Sequence, residues 1–126
     1  FKVSDEEAML LTQTNSLDAA TDQLLQRTNG VFTITLGKDG TLLGLNGKKY
    51  IIESIPIKPV DTTGAGDAFV GAVLYQLRNH TKQAILNIDY AGWETVIRNG
   101  NKAGARTCEY LGAMEAFKHL TNQIFQ

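Results

Sequence analysis

Hydrophobic positions in this chain change period along its length, and the changes mark out alternating helices and strands. Ser4 followed three residues later by Glu7 is a capping-box pattern, with Met9, Leu10 and Leu11 supplying the apolar side of a short helix. Ser16 caps a second helix that turns Leu17, Ala20, Leu24 and Leu25 inward and stops before Gly30. Val31 to Leu36 is rich in β-branched residues and is expected to form a buried strand. Thr41 to Leu45 and Lys48 to Glu53 flank Asn46-Gly47, a two-residue hairpin signal. Ser54 to Val60 is expected to be extended, because its two prolines exclude helix. After a glycine-rich turn a helix runs from Asp67 to Arg78, and a polar linker passes through His80 and Thr81. A long amphipathic helix spans Tyr90 to Cys108, and a last one begins near Ala113. The alternation predicts the α/β class, and the length predicts about one domain, with no repeat or internal linker to mark a second.

Composition narrows the function. Thirteen acidic and twelve basic side chains leave a net charge of −1, so no basic excess is available to hold nucleic acid or an anionic membrane. No apolar run approaches the ~20 residues of a spanning helix, and the N-terminus lacks a signal-peptide pattern, so a cytoplasmic protein is expected. The lone Cys108 cannot close an intrachain disulfide and reads as a small core residue on a helix. His80 and His119 lack paired ligand spacing and are expected at the surface, whereas Trp93 and Phe117 are expected in the core.

The chemistry concentrates in Asp61-Thr62-Thr63-Gly64-Ala65-Gly66-Asp67, which runs directly into an apolar helix. Gly64 and Gly66 can adopt positive φ and let consecutive N–H groups converge on an anion, a tendency that the positive end of the following helix reinforces. Asp67 stands where a proton could be taken from an incoming hydroxyl, and an anion cradle beside a base is what phosphoryl transfer needs. The bare Gly-Ala-Gly-Asp string suits an ordinary capped helix equally well. Asp61 likewise fits either a cation ligand or a turn aspartate bonded to its own backbone. Lys38 is not a Walker lysine, since the required glycine spacing is absent.

The longer string Asp61 to Phe69, with Gly71 beyond it, closely resembles the C-terminal signature of the ribokinase-like sugar kinases, the PfkB carbohydrate kinase family. Thr35-Leu36-Gly37-Lys38-Asp39-Gly40 looks like that family's nucleotide-binding strand and turn. Asn101-Lys102-Ala103-Gly104-Ala105 and Gly112-Ala113 look like its last helices, and Lys2 to Glu7 with Gly104 to Cys108 is most similar to bacterial fructokinases. The resemblance implies the C-terminal portion of a three-layer α/β/α sandwich over residues 1–126. The sugar-binding half would then lie upstream, in a longer protein that forms a homodimer, and this chain alone would have little or no activity.

By the same resemblance Asp67 is the catalytic base, and the amides of Ala65, Gly66 and Asp67, presented by the turn at Gly64, form an anion hole. Thr35, Gly37 and Gly40 approach the nucleotide phosphates and ribose of ATP, while Asn101 and Gly104 lie near its adenine. Glu7 organises Mg²⁺ through water, and its capping-box reading explains the same residue without a ligand. Asp61 and Thr63, with carbonyls near Thr107, Tyr110 and Gly112, would hold K⁺. Ser4 stands where the family usually has asparagine, and the proline usual after Gly112-Ala113 is absent. The substrate implied is a sugar, fructose first, with ribokinase, 2-keto-3-deoxygluconate kinase and nucleoside kinase specificities, or non-catalytic nucleotide binding, as alternatives.

Overall fold

The computed structural model describes residues 1–110 and 118–125. The chain divides into two compact units, Phe1–Ile52 and Glu53–Gln126, where the sequence shows no linker.

The first unit is a four-stranded sheet in the order β1-β2-β3-β4, formed by Lys2–Ser4, Val31–Thr35, Thr41–Leu45 and Lys48–Ile52. β1 lies parallel to β2, and the other two pairings are antiparallel. Helices α1 (Asp5–Thr12) and α2 (Leu17–Arg27) connect the parallel pair. Ser4 caps α1 through the full capping box, and Ser16 Oγ accepts from the Ala19 amide at the start of α2. Ala20, Leu24, Phe32, Ile34 and Leu42 build the core with Ala8. Asn46 and Gly47 take φ of 52° and 77°, the left-handed pair that a two-residue hairpin turn demands. Gly44 faces Phe32 across the sheet, and a Cβ there would fall 2.2 Å from the Phe32 ring, so the missing side chain is what admits the aromatic.

Three expectations need correction in this unit. Leu10 and Leu11 are 80% and 60% exposed, because the helical period buries Ala8 and Thr12 instead and leaves only Met9 of the apolar trio packed on the core. β1 is a strand that the sequence pattern does not announce, three residues being too few to show alternation. The strand after the hairpin ends at Ile52, one residue short of the expected Glu53.

The second unit is helical. α3 (Ala65–Leu77) and α5 (Tyr90–Thr107) form its most extensive packing, with short α4 (Lys82–Leu86) between them in sequence. The stretch expected to be a polar linker thus holds a helix, capped by Thr81 Oγ1 on the Ala84 amide. Gln76 ties α3 to α5, its Nε2 donating to Val96 O at 3.0 Å while its Oε1 accepts from Asn99 Nδ2 at 2.8 Å. Trp93 and Cys108 are buried, and His80 and His119 are exposed, as expected. Ser54 to Val60 joins no sheet among the described residues. The expected helix from Ala113 and the placement of Phe117 lie outside the described residues, apart from a helical end at 118–119 and a 3₁₀ turn at Asn122–Phe125. No helix among the described residues is long and apolar enough to cross a membrane.

Candidate active site

In the second unit the chemistry gathers at the entrance of α3. Gly64 takes φ 81° and ψ 0°, a left-handed conformation that sterically disfavours any residue with a Cβ, and no side chain caps the helix it opens. Gly66, by contrast, is helical rather than left-handed, since the ladder already closes at Ala68 N to Gly64 O, 2.9 Å. Of the three expected amides, that of Ala65 donates to Thr62 O at 3.2 Å. The amides of Gly66 and Asp67 have no backbone acceptor among the described residues. Two unspent donors at the positive end of a helix dipole fit a phosphate oxygen. Asp67 lies in this first turn with its side chain exposed, not buried against apolar groups.

Gly104 of α5 sits beneath this turn. A Cβ built there would stand 3.1 Å from Ala65 O, so the glycine sets how closely α5 approaches the first residue of α3. Asn101, one turn earlier, is buried and donates from Nδ2 to Glu53 O at 3.2 Å, so part of its hydrogen-bonding capacity is already engaged.

Asp61 forms a turn on itself. Its Oδ1 accepts from the Thr63 amide at 2.9 Å and the Thr63 hydroxyl at 2.6 Å. Cys108 O accepts from the amides of Val60 and Asp61, which fastens this turn to the C-terminal end of α5. There Thr107 O accepts from the Tyr110 amide, and the Thr107 hydroxyl donates to Ala103 O. Asp61, Thr63, Thr107 and Tyr110 therefore share one corner of the unit, while Gly112 lies outside the described residues. Burial, followed by the charge of Asp61, raises the Cys108 thiol above its ordinary value.

In the first unit, Ser4 and Thr35 are register partners at the end of the parallel pair, and the Thr35 hydroxyl donates to Val3 O at 3.5 Å. Gly37 and Gly40 both have positive φ, 62° and 96°, in the 3₁₀ turn that follows. Glu7 Oε2 accepts from the Ser4 amide at 2.7 Å, and this bond chiefly lowers the carboxyl below its usual range. One Glu7 oxygen is spent on the cap, and no group of three His, Cys, Asp or Glu side chains that could hold a metal occurs among the described residues. This donor set fits a hydrated Mg²⁺ contacted through water and does not fit a cage of direct ligands. Sequence reasoning missed Thr62, whose carbonyl occupies the Ala65 amide, because nothing in a side chain announces a backbone acceptor.

Comparison with known proteins bears on this arrangement. The chain is 37% identical over 117 residues to a probable fructokinase-4 of Arabidopsis thaliana, covering 92% of this chain and 35% of the plant protein. It is 31% identical over 129 residues to a fructokinase of Vibrio alginolyticus, covering 98% and 39%. A Vibrio cholerae fructokinase double mutant, solved with fructose, ADP and potassium ion, superposes with a TM-score of 0.77 at 32% identity over 91% of this chain and 36% of that one. Aminoimidazole riboside kinase from Salmonella enterica, with aminoimidazole riboside and an ATP analogue, gives 0.82 at 32% identity over 98% and 39%. The chain thus spans little more than a third of the length of these relatives. The fold is the α/β fold of ribokinase-like sugar kinases. With the pfkB family carbohydrate kinase model matching residues 1–120, the chain belongs to the pfkB family of carbohydrate kinases.

Proposed function

We propose that the intact protein is a cytoplasmic, ATP-dependent fructokinase, and that this chain supplies its catalytic base, its anion hole and part of its nucleotide site. The observation that carries the reading is the α3 entrance: a left-handed Gly64, two amides without backbone acceptors among the described residues and an exposed Asp67 carboxylate within one helical turn. MgATP, when bound, supplies the phosphoryl group. Asp67 takes the proton of a sugar hydroxyl as the hydroxyl oxygen bonds to the γ-phosphorus, and the bond from that phosphorus to the β,γ-bridging oxygen breaks, so ADP leaves. The amides of Gly66 and Asp67 hold the charge developing on the transferred group, with the helix dipole behind them. Thr35, Gly37 and Gly40 line the phosphates and ribose, and Asn101 and Gly104 face the adenine. Glu7 would orient a water of the Mg²⁺ shell, and the Asp61 corner, with Thr63, Thr107 and Tyr110, would hold K⁺; the expected ligand Gly112 lies outside the described residues.

Replacing Asp67 by Asn keeps the shape and removes the base, and loss of a positioned base costs ~10²- to 10⁴-fold. Asp67→Asn in the intact protein is expected to bind ATP almost unchanged and to lose turnover by at least the lower bound. Turnover near that of the wild type removes Asp67 from the mechanism.

A second reading has its own support. The likeness to aminoimidazole riboside kinase covers 98% of this chain in one structure and 96% in another, against 91% for the Vibrio cholerae fructokinase, which keeps a ribosyl acceptor as the alternative. Phosphorylation assays with fructose, ribose, glucose, 2-keto-3-deoxygluconate and aminoimidazole riboside separate the two readings by kcat/KM.

A further inference from the structure

We infer that the second unit carries an anion site apart from the α3 entrance, in a cavity of ≈ 420 Å³, which takes a small phosphate ester. Lys102 and Arg106, four residues apart on α5, both line the cavity, and His119 faces it from the C-terminal segment. No carboxylate among the described residues lines it. Glu109 engages Arg106 through Nη1 alone, leaving the remaining guanidinium donors to a ligand, and Lys102 has no ion-pair partner among the described residues. Two cations of like sign held on one helix face repel each other, and an anion between them relieves that repulsion while gaining charge-assisted hydrogen bonds.

The cavity also specifies more than a bare ion. Tyr110 and His119 stack at 4.5 Å with their planes 4° apart, and Ile55 and Leu120 add apolar surface. Small-molecule sites measure roughly 300–1,000 Å³ and combine apolar walls with a few converging polar groups. A free phosphate leaves most of this space empty; a phosphorylated sugar or a nucleotide fills it. Apart from Tyr110, whose proposed role is through its carbonyl, no lining residue belongs to the site described above, and the inference does not depend on the catalytic reading.

The test is calorimetric titration of the intact protein with inorganic phosphate, fructose 1-phosphate, fructose 6-phosphate and ADP. The sugar phosphates are titrated with the nucleotide site saturated by ADP. A sugar-phosphate site is expected to persist under saturating ADP and to weaken about tenfold or more in Lys102→Ala/Arg106→Ala, since each charged hydrogen bond lost is worth about that factor. Should ADP itself be the ligand, two equivalents bind to the wild type and one is lost in the double variant. Basal turnover stays unchanged in either case. His119→Gln, made alongside and checked by circular dichroism, gives a smaller loss and covers the event that the double variant does not fold. Absence of any phosphate ester beyond a single nucleotide equivalent, or equal affinity in the wild type and the folded variants, overturns the inference.

Discussion

Gly100 tests whether the seam between α3 and α5 is set by missing methyl groups. A Cβ at Gly100 would lie 2.8 Å from both Cδ2 and Cε2 of Phe69 and 3.2 Å from Val73 Cγ2. Carbon atoms settle at ≈ 3.5–4.0 Å, so the ring must yield on the order of 0.7–1.2 Å. Phe69 is only 3% exposed and has no open side to move into. Overpacking of this kind costs about 1–3 kcal/mol, whereas replacing a mid-helix glycine by alanine returns about 1 kcal/mol. Gly71 on α3 is the internal control, being helical and exposed, with nothing within 4 Å of the place its Cβ would take. Gly71→Ala is therefore expected to stabilise by up to about 1 kcal/mol, and Gly100→Ala to be less stable than it by about 1–3 kcal/mol, because the propensity gain cancels in the comparison. Urea unfolding of the intact protein, followed by far-UV circular dichroism, measures the difference. Phe69→Leu added to Gly100→Ala should recover part of the loss, and the double-mutant cycle gives the coupling directly. Equal stabilisation by both alanines, with no coupling to position 69, refutes the packing argument.

Gly104→Ala brings a methyl to 3.1 Å from Ala65 O, so it should shift the first turn of α3 and lower kcat more than it lowers the unfolding midpoint; an unchanged kcat refutes this. The Glu7 carboxyl is depressed in the folded state, chiefly by the Ser4 amide, so its cap contributes stability above the ordinary glutamate range and loses it as pH falls through the depressed value. Glu7→Gln should flatten that part of the stability profile, and NMR titration of the wild-type carboxyl should place it below an unperturbed glutamate. Cys108, raised first by burial and then by Asp61, should alkylate more slowly than a free thiol near the ordinary thiol range, and Asp61→Asn should speed the reaction by removing the smaller of the two causes.

Elements with a full period are legible in the chain itself. α2 buries Ala20 and Leu24, and β3 and β4 meet at Asn46-Gly47, because long apolar repeats and a two-residue turn restrict the chain to few conformations. What escapes is short or depends on neighbours. α4 has five residues and no apolar period, and its one signal, Thr81 as cap, also suits a polar linker. α1 displays three successive apolar residues, yet a helix can turn only part of such a run inward, and the core takes Met9 while leaving Leu10 and Leu11 outside.

At the site the limit is of another kind, since glycine has no side chain from which to read its task. The string Gly64-Ala65-Gly66 offers two identical residues, and the fold uses them differently. Gly64 supplies the left-handed backbone that opens α3, and Gly66 continues the helix with no backbone acceptor for its amide among the described residues. Which glycine serves which purpose is decided where the ladder starts, at the bond from Ala68 N to Gly64 O, and that start is held in turn by Gly104 under Ala65. Gly104 lies forty residues beyond Gly64 in the chain, so no local pattern could couple them. The motif therefore identifies the residues that approach the phosphate, while the distance between α3 and α5 governs where their amides point. A substitution outside the motif that changes that distance should impair the proposed phosphoryl transfer as surely as one within it.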